Sequence, residues 1–299
     1  MTLKQLVNKA KDKSCFNNLN SYITFCNEYL AYIVDNLQAI IVSQNENHYC
    51  FYQYKEDGDF QITRPINATL MYDLETFSKT SKEFCKILKG IKSIDYKDNS
   101  ARQIINNSTY TIQQSIGAAL DALPAGQSNT ARKLNGDLFE RFIRLIINEI
   151  GIDCKSGTIQ VPVIMDGEPL FNMSYQHDLI IEKNEDVKVI GSIKTSSKDR
   201  IDKIFIDKFL YNKLTEKQIP HIAIFLNDVQ RKNARKENEY GINSTFLPGH
   251  FKGYTVKLNP LDGVYYCDIR PNMRTEYILK DHIKTFDNLL IEDIWRFLI

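Results

Sequence analysis

The stretch Gln176-His177-Asp178-Leu179-Ile180-Ile181, followed after a charged turn by Gly191-Ser192-Ile193-Lys194, decides the reading of this chain. Short apolar runs of this kind read as strands, expected at Thr158 to Ile164, His177 to Ile181 and Val187 to Ile193. Side chains two apart on a strand share a face, so Ser192 and Lys194 point the same way. An acid on one strand and a lysine on its neighbour thereby meet at a common sheet edge. Metal-dependent phosphodiester hydrolysis requires that pairing: carboxylates hold a hard divalent ion, and an ammonium orients the attacking water and offsets developing charge.

Before these strands, Asn135-Gly136-Asp137 leads into a helix from about Leu138 to Ile150, ended by Gly151. After them come a helix from about Lys198 to Leu214 and the apolar strand His221 to Leu226. Asn227 to Ser244 and the Pro248 to Lys252 turn read as loops, with a core strand at Val264 to Asp268. The order implies an α/β fold with a mixed central sheet flanked by helices. Upstream, Leu3 to Lys11 and Leu19 to Val42 carry helical spacing, Tyr49 to Tyr54 and Phe60 to Thr63 read as a hairpin through Glu56-Asp57-Gly58, and Leu74 to Leu88 reads as a helix. The polar segment Asn99 to Arg132, with its turn Leu123 to Asn129, holds the best boundary. The expectation is a mainly helical N-terminal subdomain, 1–105, and a second domain, 106–299, that carries the acid-lysine pair, or one continuous domain.

Composition bounds the function. In 299 residues, 43% hydrophobic and 25% charged residues exclude disordered, collagen-like and coiled-coil classes for the whole chain. With 38 basic and 37 acidic residues the net charge is +1, which excludes a histone-like binder held by bulk charge. The six cysteines form no CxxC pair and no zinc-like cluster, which favours reduced thiols in the cytoplasm. Met1 to Cys15 lacks the apolar core of a secretion signal, and the longest apolar stretch, Tyr29 to Val42, is broken by Asp35, Asn36 and Gln38. A soluble cytoplasmic protein is expected.

Three further features add to the acid-lysine pair. Asp207 lies thirteen residues after Lys194, on the following helix, beside the face carrying Ile204 and Tyr211. Glu140 lies on the preceding helix, and Lys198-Asp199-Arg200 sits at the start of the later one. Together these residues resemble the PD-(D/E)XK nuclease core as modified in type II restriction endonucleases of the EcoRII and NgoMIV group, which read CCGG or CCNGG sites. In that group the strand acid two before the lysine is absent and a carboxylate from the next helix replaces it. The resemblance implies Ser192 at the vacated position, Asp207 as the replacement where the group generally has Glu, and Glu140 as an additional acid. It further implies that Lys198-Asp199-Arg200 is the recognition element, with Lys in place of its first Arg, and that Gln127 reads the minor groove. Expected with it are Mg²⁺ as cofactor, double-stranded DNA as substrate, a homodimer or tetramer on a palindromic site, 5′-phosphate ends and a cognate DNA methyltransferase.

The recognition triplet also makes chemical sense by itself. Arg200 can donate two hydrogen bonds to guanine N7 and O6, Lys198 can donate with less geometric selectivity, and Asp199 can accept from cytosine N4. Ordinary structural roles compete at every position. Lys198-Asp199-Arg200 could be a solvated helix start, Asp207 could pair with Lys203 or Lys208, and Glu140 could pair with Arg144. Asp178 could be a strand-edge turn residue, and Lys194 could snorkel from a strand end. Those roles leave their joint occurrence on one helix-strand-strand-helix unit unexplained. His177 reads as an inert strand residue and His250 as part of a loop-closing turn, while Gln230 to Lys236 suits a phosphate-contacting or a merely solvated loop. The alternatives to a restriction enzyme are a non-catalytic DNA-binding protein on the same scaffold and a structure-specific repair nuclease.

Overall fold

Thr2 opens the first helix, α1 (Leu3–Lys11), through a reciprocal capping box with Gln5, and Asn18 does the same with Ser21 for α2 (Leu19–Asn36). The expected long helix stops there. Leu37-Gln38-Ala39-Ile40-Ile41-Val42 forms β1 (Leu37–Val42), because a β-branched run gains more by pairing with β2 (Tyr49–Tyr54) than by extending a helix. A short β3 (Ile66–Asn67) completes this small antiparallel sheet. The computed structural model describes residues 1–55, 62–124, 126–198, 200–232 and 239–299, so the expected hairpin turn at Glu56-Asp57-Gly58 lies outside the described residues.

Asp73 caps α3 (Leu74–Lys89), as the spacing predicts. Asp98 caps α4 (Asn99–Leu120), a helix where the sequence suggests a polar connecting segment. The polar side chains from Asn106 to Ser115 are buried, several of them bonded inside the unit: Gln113 donates to Asn135, and Ser115 to the Thr111 carbonyl. Gly117 has no room for a Cβ, because the Arg64 guanidinium lies where it would stand, forked onto Asp121 at 2.8 Å. Residue 105 falls within α4, and the chain's two compact units are Met1–Leu145 with Val229–Thr245, and Ile146–Asp228 with Phe246–Ile299. The last long helix of this part, α5 (Ser128–Glu149), starts ten residues before the expected Leu138.

The second unit carries the larger sheet. Two-residue turns with positive φ, Asp166-Gly167 and Asn184-Glu185, join β4 (Cys154–Met165), β5 (Glu168–Lys183) and β6 (Asp186–Ser196) into an antiparallel meander. A helical crossover, α6 (Ile201–Thr215), then leads to β7 (His221–Asn227), which runs parallel to β6. The short β8 (Val229–Arg231) and β9 (Ile242–Ser244) form a hairpin within the first unit, where the sequence suggests only a loop. Pro248 starts α7 (Pro248–Lys257), so the expected turn around His250 is a helix. β10 (Gly263–Tyr266) and β11 (Ile283–Thr285) add parallel strands, giving the order β11-β10-β7-β6-β5-β4. This is the mixed, helix-flanked sheet that the strand and helix pattern implies.

Packing on one face of this sheet is set by register. Ser192 pairs with Ala223 and Lys194 with Phe225, so these four side chains share a face. Ala223 and Phe225 are buried with Ile201, Ile204 and Phe205 of α6. Helix α6 therefore covers the face from which Ser192 and Lys194 project. Further along, Tyr211 and Leu214 of α6 cover Val161 and Tyr175 at the base of the β4-β5 ribbon. Beyond that cover, Ile164, Met165, Leu170 and Phe171 at the ribbon's tip are more than half exposed. Among the described residues, no helix is long and apolar enough to cross a membrane. All six cysteines are free thiols, and Cys26, Cys50 and Cys267 are buried as small apolar groups.

Candidate active site

An irregular step in β5 positions the acid. Lys155 of β4 faces Ile180 and Gly157 faces His177, so β5 advances three residues while β4 advances two. The extra residue falls at Asp178-Leu179, a β-bulge. Because Lys155 and Gly157 share a face, Ile180 and His177 do as well, and Asp178 is turned out of strict alternation. Pairing between β5 and β6 also ends here, Leu179 opposite Gly191 being its last rung. Asp178 stands where the two strands part.

The carboxylate uses that gap. Its Oδ2 accepts the Ile193 backbone N–H at 2.9 Å and the Lys194 ammonium at 2.5 Å. Asp178 is 14% exposed and Lys194 31%, so the pair is partly desolvated yet open to a ligand. Ser192 is half-buried on the same face of β6 as Lys194. The sequence pattern brings Asp178 and Lys194 together as expected. It gives no sign of the bulge or of the Ile193 N–H as a partner, because an extra residue inside an apolar run leaves the hydropathy pattern readable as a regular strand.

Asp207 lies on α6, half-buried, and pairs with Lys203 one turn earlier. Lys208 takes no part: it is buried and bonds Asp262 and the Pro260 carbonyl. Asp207 acts electrostatically on Tyr175, His177 and His221. His177 and His221 are both buried, with rings crossing edge to face at 6.3 Å. Burial, together with the neighbouring His221, pushes the His177 pKa down to about 4, and burial lowers that of His221. The Nε2 atoms of both have no hydrogen-bond partner among the described residues. His177 is a buried strand residue packed among Tyr175, Tyr211 and His221, next to Asp178.

Lys198 and Arg200 are exposed at the entrance to α6, with Ser197 buried beside them, and Asp199 lies outside the described residues. Gln127 is exposed ahead of α5, and Glu140 is half-buried on α5; both belong to the first compact unit, and Asp178, Lys194 and Asp207 to the second. Among the described residues, no three His, Cys, Asp or Glu side chains gather into a metal-binding group. The Asp178 carboxylate, with Oδ2 engaged by Lys194 and Ile193, is nevertheless oxygen-donor chemistry of the kind Mg²⁺ takes. That ion is commonly held by one or two carboxylates with water and substrate phosphate completing its shell. Of the run Gln230 to Lys236, residues 233–236 are likewise outside the described residues.

No protein-family model matches the sequence, and no curated protein matches it. Among solved structures, the chain is similar to the Type IIP restriction endonuclease Kpn2I, with a TM-score of 0.70 and 18% identity over 99% of this chain and 97% of that one. It also matches restriction endonuclease PspGI, in its complex with substrate DNA, with a TM-score of 0.40 and 13% identity over 74% of this chain and 92% of that one, a likeness too low to carry weight. The similarity to Kpn2I shows a common fold along essentially the whole chain.

Proposed function

We propose that the protein is a type II restriction endonuclease that cuts double-stranded DNA at a short palindromic site in a Mg²⁺-dependent reaction. The observation that carries this reading is the Asp178-Lys194 pair at the parting of β5 and β6, on a fold shared with a restriction endonuclease. A carboxylate and an ammonium in contact, both partly exposed, suit in-line hydrolysis of a phosphodiester. Asp178 and Asp207 are the residues that would hold Mg²⁺, with Glu140 as a further donor; the ion would supply charge neutralisation at the reacting phosphate. Lys194 orients the attacking water and offsets charge on the scissile group. The 3′-oxygen leaves, giving 5′-phosphate and 3′-hydroxyl ends.

Recognition is assigned to Lys198, Asp199 and Arg200 in the major groove of a CC/GG core, and to Gln127 in the minor groove. Lysine at the first recognition position supplies a point charge in place of a guanidinium fork, which allows a different core. One site cuts one strand, so a palindrome calls for a homodimer or a tetramer. A cognate methyltransferase in the same cytoplasm would protect host DNA. Incubating the protein with phage DNA and Mg²⁺ tests the reading. Discrete fragments that vanish with a chelator support it, smearing indicates a less selective nuclease, and binding without cutting reduces the protein to a DNA-binding scaffold.

A further inference from the structure

Helix α7 brings a histidine to the entrance of α6. Phe251 is buried against Phe205 with ring centroids 5.5 Å apart, which locks the first turns of the two helices side by side. On those turns His250 Nδ1 lies 3.6 Å from Asp202 Oδ2. Asp202 is two residues beyond Arg200, and its Oδ1 is buried without a hydrogen-bond partner among the described residues. The His250 side chain is 59% exposed. The Tyr254 ring, 6.1 Å away and edge-on, bounds it on the α7 side.

We propose that His250 contacts a DNA phosphate, extending the DNA-binding edge from Lys198 and Arg200 onto α7, with Asp202 as its positioning residue. This rests on the restriction-endonuclease reading and deepens it. With Nδ1 turned to the Asp202 carboxylate, Nε2 is the ring nitrogen left for a ligand. In the proposed contact Nδ1 faces Asp202 and Nε2 donates to the phosphate oxygen, so both ring nitrogens act as donors. Base readout would use an acceptor or donor fixed in one groove, whereas this side chain stands on the exposed outer turn of a second helix, where register on the backbone is set.

The test is duplex binding without Mg²⁺, measured over a range of salt for wild type, His250→Ala, His250→Lys, Asp202→Asn and Asp202→Glu. His250→Ala should weaken binding about tenfold on cognate and unrelated duplexes alike and make the slope of log affinity against log salt shallower by about 1. His250→Lys should restore the slope. Asp202→Asn should fall between wild type and His250→Ala, and Asp202→Glu should recover, while His250→Ala leaves the thermal midpoint unchanged because its side chain is exposed. Unchanged affinity and slope in His250→Ala overturn the inference while leaving the enzyme reading intact, and a loss confined to one base-pair position overturns the phosphate assignment. A wild-type protein that binds no duplex removes the reading itself, and this contact with it.

Discussion

His177 lies 5% exposed among Tyr175, Tyr211 and His221 with its Nε2 unpartnered among the described residues, whereas Asp178, the next residue, is gripped by the Ile193 N–H and the Lys194 ammonium. One peptide bond separates a neutral, dry environment from a charged, ligand-accessible one. In a regular strand the same two residues would simply take opposite faces. Here the extra residue keeps His177 in phase with Ile180 under α6 and swings Asp178 into the gap beside β6. The comparison teaches that charge at the site depends on strand phase as much as on residue type.

The sharpest way to break the contrast is to remove the charge on its wet side. Lys194→Ala should lower cleavage by about 10³-fold while leaving duplex binding and the circular-dichroism spectrum unchanged; cleavage at the wild-type rate would remove Lys194 from the site. The dry side is broken by acid. His177 has a depressed pKa in the fold, so between its unfolded value of about 6.5 and its folded value of about 4 the unfolded chain binds more protons. Its contribution is therefore complete above about pH 6.5 and is lost as pH falls toward 4, roughly 3 kcal/mol in all. Between pH 7 and pH 4.5 the urea midpoint of wild type should fall further than that of His177→Leu; equal falls would show that His177 does not titrate in this range.

Asp207 tests whether the two sides communicate. Paired with Lys203 yet electrostatically coupled to His177 and His221, it should lower cleavage about 10- to 100-fold on change to Ala and raise the Mg²⁺ concentration needed. A normal Mg²⁺ requirement in that variant would leave Asp207 as a helix-surface acid. The smallest effect is expected at the last rung before the strands part. A methyl group on Gly191 would stand 2.9 Å from Leu179 Cδ2, so Gly191→Ala should cost about 1 to 2 kcal/mol by thermal melting and perturb the Asp178-Lys194 contact only slightly.

Much of this architecture is legible in residue order. The β4-β5-β6 meander, α6 and β7 follow from short apolar runs separated by charged turns, and Asp178 and Lys194 meet because neighbouring strands leave them few other places to go. Three features escape such reading for identifiable reasons. Ile40-Ile41-Val42 continues the helical spacing of α2, and only its β-branched chemistry and its pairing with β2 make it a strand. Helix α4 is polar but buried: Gln113 bonds Asn135 and Ser115 its own backbone, while Ser108 Oγ and Thr109 Oγ1 have no hydrogen-bond partner among the described residues. The turn at His250 is helical because Phe251 finds an aromatic partner on α6, a tertiary contact that local sequence does not encode. Glu140 and Gln127 lie in the other compact unit, so their roles are testable only by substitution.

The extra residue in β5 has a consequence for how the ribbon finds its partner strand. Met173 and Tyr175 pack with Ile159 and Val161 beneath α6, while Ser174 and Gln160 bond each other on the exposed side. A strand with period two has no internal marker that distinguishes one alignment from the next, and a slip of a single rung trades one side for the other. The bulge supplies that marker. Paired as a regular strand with both Asp178 and Leu179 retained, the outer ribbon would take the opposite parity, presenting Ser174 to α6 and Tyr175 to water, whereas deleting one of the two would keep the parity and remove only the bulge. The same residue that aims an acid thus acts as a frame mark, and correct alignment of some ten residues downstream of the turn is read from it.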